Sequence, residues 1–406
     1  MERLSGHDIV CVSVMDWDHP FASSRHHLMR ALSARNRVLF VDNQRNPLAV
    51  AAGLHRPQAR RIARAWAGAQ PNPRPVAPGL WVHTPPPAFP MGRLRQRGLF
   101  EAAYAYNQAR LGASVRSAAR VLGMRRPLLW ISFNVLSSEG VIGSLDERLV
   151  VYHCTDAVGA MPGASPFADA IERRLIARSD LVVCSSRVLA EERGAGHPDC
   201  RWVPNGADVA LFERAADPGL PPHPTLRGLG PGPVLGFVGH LEERVDFALL
   251  EALAHAEPTW RFVLAGPVAP SRRQAAERLA RHPNVRLTGL LPRDQLPAFL
   301  RGCDALLIPF VHSAQTRAIY PLKLHEYLAT GKPVATTRFA DLGEATPVLH
   351  VGDGVGGFAA AIRAALADRE PAREAARQAV GRRGDWEHRV GQMEQGILTH
   401  LARQAA

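Results

Sequence analysis

Short apolar runs rich in β-branched residues recur along the whole chain. They read IVCVSV (9–14), RVLFVD (37–42), PLLWISF (127–133), RLVVYH (148–153) and DLVVCSS (180–186), and after residue 232 PVLGFVG (233–239), RFVLAG (261–266), NVRLTG (284–289), ALLIPF (305–310) and PVATT (333–337). Runs of this length and composition predict buried strands. Between many of them lie helical patterns: SSRHHLMRALSA (23–34), DFALLEALAHA (246–256) and RDQLPAFLRG (293–302). Strands alternating with helices predict parallel sheets covered on both faces, an α/β architecture. The two series are separated by DPGLPPHPTLRGLGPGP (217–233), too rich in Pro and Gly for either element. The expectation is a first domain over 1–216, a linker at 217–233 and a second domain over 234–384. In the last segment, Trp386, Val390, Met393 and Ile397 are spaced like one helix face, so 385–406 is expected to pack back on the first domain. The interval 43–98, with PNPRPVAPG and TPPPAFPMG, predicts irregular chain with a basic amphipathic helix near 58–67.

Composition changes this picture little. The 406 residues are 46% hydrophobic and 21% charged, as in an ordinary globular protein of two domains. No apolar run approaches the ~18 residues of a membrane span. The start, MERLSGHDIVCVSVMDW, carries acid and base before its strand, unlike a signal peptide. Five scattered cysteines without CxxC spacing imply reduced thiols and a cytoplasmic setting.

Charge changes it more. Between Arg56 and Arg126 there are thirteen arginines and one acid, Glu101, an excess equal to the formal net charge of the entire chain, +12. Charge so concentrated points to an anionic partner, an anionic membrane surface or an acidic acceptor; the alternative is a merely compositional Ala/Arg bias. No nucleic-acid motif accompanies the arginines, and nucleic acid is not expected as a partner.

The most telling stretch is QTRAIYPLKLHEYLATGKPVATT (315–337). Pro321 suits a first helical turn, Gly331 and Pro333 end the helix, and Lys323 and Glu326 share one face near its start. A lysine at a helix N-terminus holds phosphate, and a carboxylate one turn deeper accepts from sugar hydroxyls. In the first half, VVYHCTDAVGAMPG (150–163) leaves a strand and presents His153, Thr155 and Asp156. Asp156 is the candidate general base and His153 the second, against the plainer reading of a turn cap and a packed ring. The loop MDWDHPFASSRHHL (15–28) follows the first strand. Its Asp16-Trp17-Asp18 spells a metal–nucleotide motif, but one belonging to another architecture. No His/Cys/Asp grouping has metal-ligand spacing, so no metal or other cofactor is expected.

With VPNGAD (203–208), LGFVGHLEERVDFALLEAL (235–253), FVLAGP (262–267), NVRLTGLLPRDQLPAFLRGCDALLIPF (284–310) and PLKLHEYLATGKPVATT (321–337) in this order, the sequence resembles the GT-B glycosyltransferases. The resemblance is to the GT4-like group that builds bacterial envelope polysaccharides and glycolipids, of the teichuronic-acid or exopolysaccharide type. It is strongest over 180–345. It implies two doubly wound Rossmann-like domains facing a central cleft, with a nucleotide-sugar donor in the second and the acceptor in the first. On this resemblance Gly239 lets the backbone approach the donor phosphates, and Arg244 with His240 lies near the pyrophosphate. Gly289 and Leu290 flank the base, Thr316 to Tyr320 wrap the diphosphate, Lys323 offsets leaving-group charge and Glu326 holds the ribose. The same resemblance implies that the loop 15–28 shapes an acceptor site through Arg25 and His26. Retaining members often carry a second glutamate eight positions before Glu326, where this chain has Ala318, which leaves donor and stereochemistry open. The expected function is transfer of a sugar to a lipid-linked or polysaccharide acceptor, by a cytoplasmic protein peripheral on the inner membrane face. The alternatives are a sugar-nucleotide 2-epimerase and a non-catalytic GT-B binding protein.

Overall fold

The computed structural model describes residues 2–19, 23–91 and 94–405. The chain divides into two compact units, one of residues 1–204 with 389–406 and one of residues 205–388.

The first unit holds β1 (Asp8–Ser13), β2 (Arg37–Val41), β3 (Arg74–Ala77), β4 (Leu80–His83), β5 (Leu128–Ser132), β6 (Leu149–Cys154), β7 (Leu181–Cys184) and β8 (Cys200–Trp202). Among the described residues they form one sheet in the order β3-β4-β2-β1-β5-β6-β7-β8. All neighbours run parallel except β3 and β4. The strands β1, β5 and β6 are buried almost throughout, as apolar runs without alternation require. Residues 43–98 are more regular than their prolines suggest. They hold the helices Pro47–Ala52 and Pro57–Trp66 and the β3–β4 hairpin. Gly79 turns that hairpin at φ +70, and the buried Leu80 and Val82 then extend the parallel sheet beyond β2. Val390, Met393 and Ile397 of the final helix, Trp386–Ala405, are buried, and residues 389–406 belong to this unit.

The second unit holds β9 (Val234–Val238), β10 (Arg261–Ala265), β11 (Val285–Gly289), β12 (Ala305–Ile308), β13 (Val334–Thr336) and β14 (His350–Val351). They form a parallel sheet in the order β11-β10-β9-β12-β13-β14. Its boundary differs from the expected one. Residues 205–216 and the expected linker 217–233 lie inside this unit. The reason is packing: Val209, Phe212 and Ala215 are buried in the core of the second sheet. The Pro/Gly-rich segment is bonded to it as well, through Arg301 to the Pro218 carbonyl and Arg286 to the Thr225 and Arg227 carbonyls. Pro and Gly here mark irregular backbone, not a free tether.

The parallel part of each sheet reverses its strand order once, between β1 and β5 in the first unit and between β9 and β12 in the second. In open parallel sheets the crevice at the carboxyl ends of such a pair is where ligands bind.

Candidate functional site

At the reversal in the second unit, β9 and β12 pair only at Leu235–Ala305 and Gly236–Leu306, then splay. The helix Lys323–Ala329 fills the gap. Its Tyr327 hydroxyl accepts from the Val238 N–H at 2.7 Å and donates to the Val238 carbonyl at 3.3 Å, replacing the lost ladder partners. Leu324, His325 and Leu328 are buried with Tyr327, which leaves Lys323 and Glu326, one turn apart, half-buried and directed at the crevice. Gly239 ends β9 at φ +145, and a Cβ there would stand 2.7 Å from the Lys323 Nζ. The glycine thus makes room for the ammonium itself.

The Lys323 Nζ sits 4.1 Å from the Phe237 ring centroid and 4.6 Å from that of Phe310. Burial, together with the nearby Arg244 guanidinium, pushes its pKa down to about 7, against the pull of Glu326 and Glu242. Arg244 is paired with Glu242, and the His240 ring lies 3.8 Å from the same carboxylate. On the other side, Glu326 is 3.6 Å from Arg293, which is 3.8 Å from Asp208 and lies over the Phe212 ring. Burial raises the Glu326 pKa, and Arg293 and Lys323 oppose that shift. The result is three basic side chains, Lys323, Arg244 and Arg293, interleaved with the carboxylates of Glu242, Glu326 and Asp208 at a strand-order reversal, with hydrogen-bonding capacity for an anionic ligand and for hydroxyls beside it.

The other expected donor residues are placed differently. Gly289 ends β11, two strands from β9 and so ~10 Å away at the usual spacing, and Leu290 after it is exposed. The Thr316 side chain is wholly buried: its hydroxyl donates to the Val311 carbonyl at 2.6 Å and closes a capping box with Ser313. The Tyr320 ring is also turned inward, its hydroxyl 2.9 Å from His325 Nε2. Both side chains are spent inside the fold, where they hold the loop, and neither is placed to meet a diphosphate. Asn205 holds the same loop by donating to the Tyr320 carbonyl at 2.7 Å.

In the first unit the reversal lies between β1 and β5. Phe133 follows β5 at φ +50, a left-handed conformation that costs ~1–3 kcal/mol in a bulky residue and is characteristic of functional edges. The buried Arg25 donates from Nε to the Ser132 Oγ at 3.2 Å, and the Asp156 charge acts on it. His153 lies in β6, in register with Ser132. It is buried against the edge of Trp130, and neither ring nitrogen has a hydrogen-bond partner among the described residues. Burial and the Arg25 charge push its pKa down to about 3, so it is neutral and a weak base. Asp156, half-buried just past β6 and accepting from the Thr155 hydroxyl at 3.1 Å, is the better-suited proton acceptor.

His26, expected on the acceptor side, points inward instead. Its Nδ1 accepts from the Ser23 N–H, which puts the proton on Nε2, donated to the Asp16 carbonyl at 3.2 Å. Burial lowers its pKa to about 4, and it serves to fix the loop after β1. Asp16 and Asp18 are consumed by arginines: Arg45 on Asp16, Arg61 and Arg74 on Asp18. Two residues of the basic stretch are therefore internal counter-charges, and Arg93 lies outside the described residues. Sequence reasoning missed Arg293 and Asp208. Each reads as an ordinary surface residue until the fold brings it to Glu326, although Asp208 ends the VPNGAD motif.

Residues 232–368 match the family of glycosyl transferases group 1. A protein of Bacillus subtilis (strain 168), named as a teichuronic acid biosynthesis glycosyltransferase, is 32% identical over 225 residues, covering 52% of this chain and 55% of the relative. A 2-deoxystreptamine glucosyltransferase of Streptomyces kanamyceticus is 28% identical over 248 residues, 55% of this chain and 60% of that one. The chain thus spans little more than half the length of the curated relatives it matches. Among solved structures, a sucrose-phosphate synthase from Thermosynechococcus elongatus superposes with a TM-score of 0.68 at 18% identity, over 98% of this chain and 100% of that one. The fold is GT-B, built of two Rossmann-like parallel-sheet units, and the residues that match the group 1 family lie in the second unit.

Proposed function

We propose that this GT-B protein is a glycosyltransferase that moves a sugar from a nucleotide-sugar donor to a lipid-linked or polysaccharide acceptor in envelope or exopolysaccharide synthesis. The observation that carries the reading is the cluster of Lys323, Arg244, Glu326 and Arg293 at the β9/β12 reversal, within the region matching the group 1 transferases. In the reaction the acceptor hydroxyl oxygen bonds to the anomeric carbon, the bond from that carbon to the phosphate oxygen breaks, and a nucleoside diphosphate leaves. Charge builds on the departing phosphate, so Lys323 and Arg244, fixed beside it, stabilise the transition state more than the bound donor. Glu326, with Arg293 holding its orientation, accepts from the ribose hydroxyls. Asp156 takes the acceptor proton in an inverting course, with Arg25 steadying its charge. Protein cations supply the positive charge, so the proposal requires no metal.

The teichuronic acid relative supports an envelope acceptor, and with it a cytoplasmic protein peripheral on the inner membrane face. Among the described residues no helix is long and apolar enough to cross a membrane. The 2-deoxystreptamine relative favours a second reading, a small soluble aminocyclitol acceptor. The deciding experiment is calorimetric titration with UDP, GDP, ADP and dTDP, followed by nucleoside diphosphate release with and without candidate acceptors. Selective binding of one nucleotide and acceptor-dependent release support transfer. Release without any acceptor points to an epimerase or hydrolase, and no nucleotide binding removes the donor site.

A further inference from the structure

Between Asp42 and Glu101 the chain contains no acidic residue. Its arginines, however, do not act alike. Arg61 and Arg74 turn inward to Asp42 and Asp18. Arg56, Arg60 and Arg64 are exposed at i, i+4 spacing along one side of the helix Pro57–Trp66, whose Ile62 and Ala65 are buried on the other. This helix packs on the short helix Pro47–Ala52, with a Cβ at Gly53 coming within 3.3 Å of the Ala59 Cβ. Only Val50 anchors the short helix inward. Its other apolar side chains face water: Leu48 is 74% exposed and Leu54, just past the turn, 44%.

Two more exposed large side chains adjoin. The Ala88 N–H donates to the Arg45 carbonyl at 2.8 Å, and Asn107 clamps Phe89 through both its main-chain groups. These bonds tie Phe89, 54% exposed, between the start of the hairpin and the part of the helix Arg97–Val121 that carries the exposed Tyr106. Exposed leucines and aromatics set among unopposed arginines suit neither water nor an acidic protein groove. They suit a bilayer, in which the apolar groups pass the headgroups and the arginines stay on anionic lipid.

We infer that the 47–66 helical hairpin, with Phe89 and Tyr106 beside it, is a monotopic insertion surface for an anionic bilayer. This inference rests on the proposed transfer to a lipid-linked acceptor and names the side from which that acceptor arrives. The hairpin follows β2 and the Phe89 loop follows β4, both at the carboxyl edge of the first sheet. Asp156 follows β6 at the same edge, three strand spacings from β2, or ~14 Å. A lipid headgroup held at the hairpin therefore presents its glycan along that edge towards Asp156.

The test is flotation of the full chain with vesicles of phosphatidylglycerol in phosphatidylcholine, or of phosphatidylcholine alone, at low and high salt. The variants are Leu48→Ser/Leu54→Ser and Arg56→Ser/Arg60→Ser/Arg64→Ser, with Val121→Ser, exposed at the far end of its helix, as control. Wild type and control should float only with the anionic lipid. The leucine pair should lose ~30-fold in partition at either salt, and the arginine triple ~100-fold at low salt, with the loss shrinking as salt rises. All sites changed are exposed, and unchanged melting temperatures confirm folding. Absent flotation of wild type overturns the inference, as does a leucine pair that floats like wild type. A concentration-dependent dimer abolished by the leucine pair also overturns it, in favour of self-association. Calorimetry with UDP, GDP, ADP and dTDP on the same samples separates the two readings: flotation without nucleotide binding removes the donor site and leaves the surface standing, and the reverse removes only the surface.

Discussion

Lys323 titrates near neutrality because burial and the nearby Arg244 guanidinium disfavour its ammonium, while Glu326 and Glu242 only partly compensate. A bound diphosphate favours the charged form, so binding must raise the pKa and take up a proton wherever the free amine is neutral. The sign follows: affinity for a nucleoside diphosphate is level just below pH 7 and falls towards tenfold per unit above it. Titration between pH 7 and 9, where the ligand's own phosphate is fully ionised, should show this fall together with proton uptake. Lys323→Met should bind weakly and without the slope; an equal slope in that variant would assign the proton elsewhere. Glu326→Gln should cost ~1–3 kcal/mol in nucleotide binding by removing a charged acceptor for hydroxyls, while leaving inorganic pyrophosphate unaffected. Equal losses for both ligands would place Glu326 on the phosphates. Asp156→Asn should retain nucleotide affinity and lose transfer, and full turnover in that variant would exclude Asp156 as the base. At this scale the placement of Lys323 and Glu326 on one short helix, and of Asp156 just past a strand, was legible in the sequence because helix punctuation and strand ends mark them. Arg293 was not, since its value comes from Glu326 and Asp208 meeting it across the fold.

The splayed pair β9 and β12 is the element on which the proposed donor site depends. Gly239→Ala would place a methyl group 2.7 Å from the Lys323 Nζ at a backbone angle that side chains rarely adopt. It should destabilise the fold by ~1–3 kcal/mol in urea unfolding and weaken nucleotide binding by displacing the ammonium. A stable variant with undiminished binding would show that the lysine reaches its ligand from elsewhere. The alternation of strands and helices was readable here, as were the helix stop at Gly331 and the strand after Pro333. The inward turns of Thr316, Tyr320 and His26 were not. A hydroxyl or imidazole in a loop has the same one-dimensional signature whether it caps its own backbone or meets a ligand. Only the partners Val311, His325 and Asp16 distinguish the two.

At the scale of the molecule the boundary at 204/205 has a direct consequence. A fragment of residues 205–388 keeps Phe212 in the second core, together with the main-chain bonds that join Ala207 to Gly384 and Trp386. It should fold and retain nucleotide affinity. A fragment of residues 234–384 loses Phe212, worth ~3–5 kcal/mol in such a core, and should be molten or insoluble by hydrogen exchange. Equal behaviour of the two would return the boundary to the Pro/Gly segment.

By itself the sequence determined the α/β class, the two-unit order, the helix that presents Lys323 and Glu326, and the concentration of positive charge before residue 127. These are periodicities and compositions, local enough to be expressed within one element. Tertiary structure alone decided where the units divide, which arginines face inward and which remain exposed, and that Gly239 accommodates an ammonium. It also decided that Arg293 sits between Glu326 and Asp208. Each of these depends on a contact between segments far apart in the chain, and burial and ion pairing arise only when the fold closes those distances.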